Sequence, residues 1–302
     1  MRRVLLSDEI TFILQIALSG VVTGSLYSIL ALGFVLIYKA SDVLNFATGE
    51  IMMLGAYFFY TFNGLFNLPF WLSFLLVLII SVLVALFIER LCLRRLIGEP
   101  VISIIMVTLG IGVFIKSIIE LAWGPLTRSY PAFFSGDLIE IGRIVLSPLN
   151  LIIIVFAWIT IIILLLFFKF TRLGLEMRGT ADRQGIALML GVNVDWIFAL
   201  SWAIAVGVAS AAGIFFAYSN VLNPHLHMIG IGVLPVVILG GIDSIGGAIV
   251  GGIIVGVITN LASAYLGQYM IGIDEMFPYV ILLLVLMFRP YGLFGSEEIE
   301  RV

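Results

Sequence analysis

Apolar positions in this chain gather into long runs, at 11–38, 49–66, 69–88, 101–123, 149–168, 196–219, 230–242, 245–266 and 276–288. Most hold roughly 20 residues, enough for an α-helix to cross about 30 Å of hydrocarbon. No period-two alternation appears, so backbone groups in lipid are satisfied within helices and not in a barrel. The run at 230–242 is too short to cross. It lies in "GVLPVVILGGIDSIGGAIVGGIIVG", where Pro235 and the glycines are expected to break the helix into pieces. The expectation is an all-α polytopic integral membrane protein with about eight or nine transmembrane helices, some broken or re-entrant. Residues 1–302 form a single membrane domain on this reading.

Composition agrees. The 302 residues are 62% hydrophobic and 11% charged, against about 25% charged in soluble domains. A net charge of -3 is too small to point to nucleic acid. Cys92 is the single cysteine, which excludes an internal disulfide and a cysteine-cluster metal site. The start, "MRRVLLSDEITFILQ", is basic like a signal peptide, but Asp8 and Glu9 interrupt it and the apolar run beyond is long. It reads as a retained first span.

Charge bias in the short loops sets the orientation. The segments near 39–42, 89–99 and 169–195 and the tail from 289 hold Lys39, Arg90, Arg94, Arg95, Lys169, Arg172, Arg178, Arg183, Arg289 and Arg301; the other side holds Arg2, Arg3, Arg128 and Arg143. The first set is expected in the cytoplasm, with the N-terminus outside and the C-terminus cytoplasmic.

One stretch departs from the apolar pattern: "KFTRLGLEMRGTADRQGIALMLGVNVDW", 169–196, with Lys169, Arg172, Glu176, Arg178, Asp182, Arg183 and Asp195. Inserted in lipid, those charges would cost on the order of 20 kcal/mol, so the segment lies in the cytoplasm. Thr180 as N-cap, Asp182 in the first turn and Gly191 beyond the end predict a helix from Ala181 to Leu190. A helix that short is unstable alone and needs a partner surface. That surface is either its own membrane domain and headgroups or a separate cytoplasmic protein.

Elsewhere, "NFATGE" places Asn45, Thr48, Gly49 and Glu50 beside an apolar run. Thr48 as N-cap with Glu50 at the positive end is the capping reading; an interrupted helix lining a polar path is the functional one, with Asn45, Thr48 and Glu50 as lining candidates. Lys116 and Glu120 stand at i, i+4, suited to pairing or snorkelling. His225 and His227 have no third metal ligand nearby in sequence.

Three passages together resemble the permease subunits of ATP-binding-cassette importers, and more narrowly the LivH-type permeases for branched-chain amino acids. They are "SGVVTGSLYSILALGFVLIYKASDVLNFATGEIMMLGAY", "RLGLEMRGTADRQGIALMLGVNVDWIFALSWAIAVGVASAAG" and "LPVVILGGIDSIGGAIVGGIIVG". In the second, Thr180, Ala181, Arg183, Ala187, Leu190, Gly191, Asn193, Val194 and Asp195 fit the family's coupling loop, while Gly185, Ile186 and Ala187 stand where Glu-Ala-Ala is usual. Thr48 replaces a usual His. The resemblance implies a non-catalytic subunit in a bacterial inner membrane that forms half of a pathway for branched-chain or other neutral amino acids. It implies as partners a second homologous permease subunit, two cytoplasmic ATP-binding subunits and an external substrate-binding protein, and it implies no cofactor. ATPase contact then falls on Arg178, Thr180, Asp182, Arg183, Ala187 and Gly191. The chain has no GxxxxGK[ST] loop, HExxH or GxSxG motif. A permease for urea or short amides and an ion-coupled secondary transporter remain as alternatives.

Overall fold

The computed structural model describes residues 2–41, 44–96, 99–131, 137–141, 144–182, 184–270 and 272–295. Helix dominates. In chain order the helices are α1 (Arg2–Ser41), α2 (Thr48–Phe59), α3 (Phe70–Ile88), α4 (Val101–Trp123), α5 (Pro148–Phe170), α6 (Arg172–Asp182), α7 (Gln184–Met189), α8 (Val194–Ser219), α9 (Met228–Gly240), α10 (Ile245–Leu266) and α11 (Ile273–Phe288). Two of them run on as wide π turns: α2 through Tyr60–Leu65 and α3 through Glu89–Leu93.

Among the described residues six helices are long and apolar enough to cross a membrane: Glu9–Ser41 within α1, Phe70–Leu96, α4, α5, α8 and α10. Helices α2, α9 and α11, with 12, 13 and 16 residues, are shorter. The 23 residues of α4 and the 22 of α10 occupy the apolar runs read from the sequence at 101–123 and 245–266.

Pro235 does not break its segment. Helix α9 passes through it, since a proline removes one donor and need not end a helix held by its neighbours. The break falls at Gly241, with φ +106°, a conformation costly for any residue with a Cβ. Ser244 then opens α10 by accepting from Gly247 N–H at 3.0 Å.

A short hairpin, β1 (Ile139–Ile141) with β2 (Ile144–Leu146), lies between α4 and α5 and was absent from the all-helical expectation. The side-chain amide of Gln15 bonds both the N–H and the C=O of Val145, acting as an extra strand edge.

Contacts gather into two compact units. The first comprises Met1–Ala31, Ala132–Ile159 and Gly232–Val302. Within it α1 meets α10 along small residues. A Cβ added at Gly20 would stand 2.6 Å from Val257 Cα, and one at Gly24 would stand 2.7 Å from Gly252 O. The Ser28 hydroxyl lies 2.9 Å from Ile249 O. Small residues let backbones approach closely where lipid supplies no hydrophobic drive between helices. The tail hooks back on α9, with Leu293 N–H donating to Leu239 O and Phe294 N–H to Gly240 O, which satisfies carbonyls the helix end leaves open.

The second unit, Leu32–Pro131 and Thr160–Ile231, is built around α8, which packs on α2 and α3. The alanines and glycines of "AIAVGVASAAG" bury α8 almost throughout. A Cβ at Gly55 would meet Ser210, and one at Gly213 would meet Met52. At one end of α2, Tyr130 donates to Ala56 O at 2.8 Å and Trp123 Nε1 to Thr61 Oγ1 at 2.9 Å. Burial, and then the neighbouring Tyr218 and Tyr57, push the Tyr130 hydroxyl well above its usual range, so it remains a donor.

Candidate functional site

The charged segment is helical on both sides of residue 183, over α6 and α7. Thr171 caps the first: its Oγ1 accepts from Gly174 N–H at 3.0 Å. Gly174 permits the tight turn out of α5, because a Cβ there would lie 2.5 Å from Phe167 O. Thr180, expected as an N-cap, instead sits inside α6. It is buried, and its hydroxyl donates to Glu176 O at 2.8 Å. Thr171 took the capping role because the helix starts two turns earlier than the Thr-Ala signal suggests. Arg183 lies outside the described residues, as does the side chain of Asp182.

Helix α7 ends at Gly191, with φ +83°. Gly191 N–H bonds Leu188 O and Val192 N–H bonds Ala187 O, each at 3.0 Å, the paired closure of a Schellman motif. Asn193 then caps α8 through Trp196 N–H at 3.1 Å. Both α6 and α7 rest on α8, and Met177, Thr180 and Ala187 of this segment are buried. The opposite side of the tip is apolar and open. Met189 is 89% exposed and Leu190 78%, with Ile186 and Leu188 also exposed. Arg178 lies exposed on α6, its Nε 3.4 Å from Gly174 O.

The "NFATGE" junction is an Asx turn. Asn45 Oδ1 accepts from Ala47 N–H at 3.0 Å, and Thr48 Oγ1 donates to Asn45 O at 2.8 Å. Thr48 is therefore the first helical residue and not the side-chain cap, because Asn45 organises the turn before it. Glu50 sits in the first turn of α2, where the helix N-terminus favours its charge. Its carboxylate faces Gly112 of α4, with Lys116 and His227 in electrostatic range. Lys116 and Glu120 form no ion pair among the described residues. His227 is buried, its Nδ1 2.7 Å from Pro224 O.

Asn45 also lines a cavity of about 110 Å³ bounded by α1, the ends of α3 and α4, and α8. Thr48 and Glu50 are not on its wall. Glu89, only 3% exposed in its side chain, accepts from Arg94 Nε and Nη2 at 3.0 Å each. Thr108, Phe198, Trp202 and Glu99 complete much of the wall. Sequence reading missed this ion pair. An α-helix pairs i with i+3 or i+4, whereas the π turn over Glu89–Leu93 brings i and i+5 together.

Known proteins match this chain over nearly its whole length. The family model described as "Branched-chain amino acid transport system / permease component" covers residues 16–286. Among curated relatives, the high-affinity branched-chain amino acid transport system permease protein LivH of Salmonella typhimurium is 30% identical, spanning 98% of this chain and 100% of that protein. Escherichia coli LivH is 28% identical with the same spans, and Pseudomonas aeruginosa BraD is 28% identical over 97% and 99%. Among solved structures, PsaBC from Streptococcus pneumoniae in complex with Fab superposes with a TM-score of 0.51 at 12% identity, over 92% of this chain and 91% of that one, a likeness of fold. With its apolar spans, it is a multi-pass inner-membrane protein, and the chain belongs to the permease-component family of branched-chain amino acid transport systems.

Proposed function

We propose that this chain is the non-catalytic permease subunit of an ATP-binding-cassette importer for branched-chain or other neutral amino acids. Residues 1–302 act as one permease domain forming half of the pathway, with 169–195 as its cytoplasmic coupling loop, the N-terminus outside and the C-terminus inside. A second homologous permease supplies the other half, two ATP-binding subunits grip the coupling loop, and an external binding protein delivers solute.

The observation that carries this reading is the tip of α7. Large apolar side chains at Met189 and Leu190 are held in the open on a closed, capped turn. Exposed apolar patches rimmed by polar residues mark protein contacts. Arg178 supplies charge beside the tip, Thr180 and Ala187 seat the segment on α8, Gly191 fixes the exit angle, and Asp182 and Arg183 are ATPase contacts in this proposal on the family resemblance. Motion imposed on the tip reaches α8 directly, and α8 packs on α2 and α3. Asn45, Thr48 and Glu50 line the path in this proposal.

The test is uptake of L-leucine into proteoliposomes. This chain with its permease and ATPase partners and binding protein should transport leucine only with ATP, whatever the ion gradient. Gradient-driven uptake by the chain alone would overturn the reading.

A further inference from the structure

We propose that the cavity between Asn45, the Glu89–Arg94 pair and Trp202 binds an α-amino acid with a branched aliphatic side chain. The side chain enters the cavity and the zwitterionic head rests at the mouth between Arg94 and Glu99. The substrate class rests on the permease reading; the place rests on geometry.

Size comes first. A dry cavity of about 150 Å³ holds the six carbons of benzene, about 25 Å³ per carbon. On that scale about 110 Å³ takes a four-carbon side chain and leaves no room for the charged head. The walls suit that occupant: Ile37, Leu93, Ile104, Phe198 and Trp202 are apolar.

The head finds both charges at the opening. Glu89 engages Arg94 through Nε and Nη2, and a guanidinium has five N–H donors, so three remain for a carboxylate. Arg94 keeps 36% of its side chain accessible. Glu99 is exposed, lines the same cavity and forms no ion pair among the described residues. Its carboxylate is the acceptor for an ammonium group. Buried Glu89 thus serves as a positioning residue that fixes the guanidinium, and Arg94 and Glu99 touch the ligand.

Equilibrium binding of radiolabelled L-leucine to the full transporter complex in lipid nanodiscs, without the external binding protein, tests this. Saturable binding with one site per copy of this chain is expected. Isoleucine and valine should compete, and glycine should bind more than about tenfold more weakly, for want of the buried carbons. Glu99→Gln and Val101→Trp act at exposed positions and leave the fold intact. The first should weaken leucine about tenfold by removing a charge-assisted bond; the second should do at least as much by filling the cavity. Absence of saturable binding, or binding unchanged in both variants, overturns the site even if ATP-driven leucine uptake is normal. Normal, variant-sensitive binding beside uptake that never requires ATP would instead overturn the permease reading and leave the site standing.

Discussion

The seam between α1 and α10 and the tip of α7 solve opposite problems. At the seam, Gly20, Gly24, Gly252 and Gly256 bring two backbones together, with only the small Ser28 side chain set against Gly252. At the tip, Met189 and Leu190 put large apolar groups where no described residue covers them. Within lipid, close packing is the main source of helix association, so the smallest residues sit where the chain closes on itself. In water, apolar surface has a strong drive to be covered, and on the proposed reading the largest residues sit where another protein is to hold the tip. On the proposed reading, the difference teaches that residue size marks self-contact in one place and foreign contact in the other.

Substitutions that exchange the two chemistries should therefore fail differently. Gly24→Leu puts a branched side chain against Gly252 O and Ile253 Cα. Overpacking against backbone that cannot move should cost about 3 kcal/mol and remove most folded protein, read as loss of the monodisperse peak in detergent chromatography. Gly191→Pro comes next, since proline cannot take φ +83°. It should abolish transport while the spans still insert, checked by uptake together with membrane yield. Thr171→Ala removes the cap on α6 and should cost about 1 kcal/mol, a small fall in Tm with partial loss of transport. Met189→Cys should change stability least, by less than about 0.5 kcal/mol. Its thiol should react with an impermeant maleimide only from the cytoplasmic side; labelling from outside would invert the orientation.

The long spans were legible because twenty apolar residues have few alternatives to a membrane helix. Val101–Trp123 and Ile245–Leu266 begin straight after Pro100 and Ser244, residues that suit a helix start. What escaped was set by geometry that a period of 3.6 does not describe. The π turn at Glu89–Leu93 made the Glu89–Arg94 pair invisible to i, i+4 reasoning. The same limit hid the π turn at Tyr60–Leu65, inside what read as one span. Pro235 was a misleading stop, because neighbours and not propensity decide whether a membrane helix continues. In the charged segment, Gly191 was legible from its position after an apolar run. Thr180 was not, because Thr171, nine residues earlier, offers the same capping chemistry at a sharper turn. In "NFATGE", Asn45 proved the organising residue and the one wall residue among the three candidates.

The most direct test of the account is ATP-driven L-leucine uptake by the complete transporter carrying Met189→Asp and Leu190→Asp together. Both positions are exposed, so the complex subunit should fold and insert in normal amount while uptake falls by more than about tenfold and the ATPase subunits no longer co-purify. Normal uptake with the ATPase subunits retained would contradict the claim that the tip of α7 is the surface they grip.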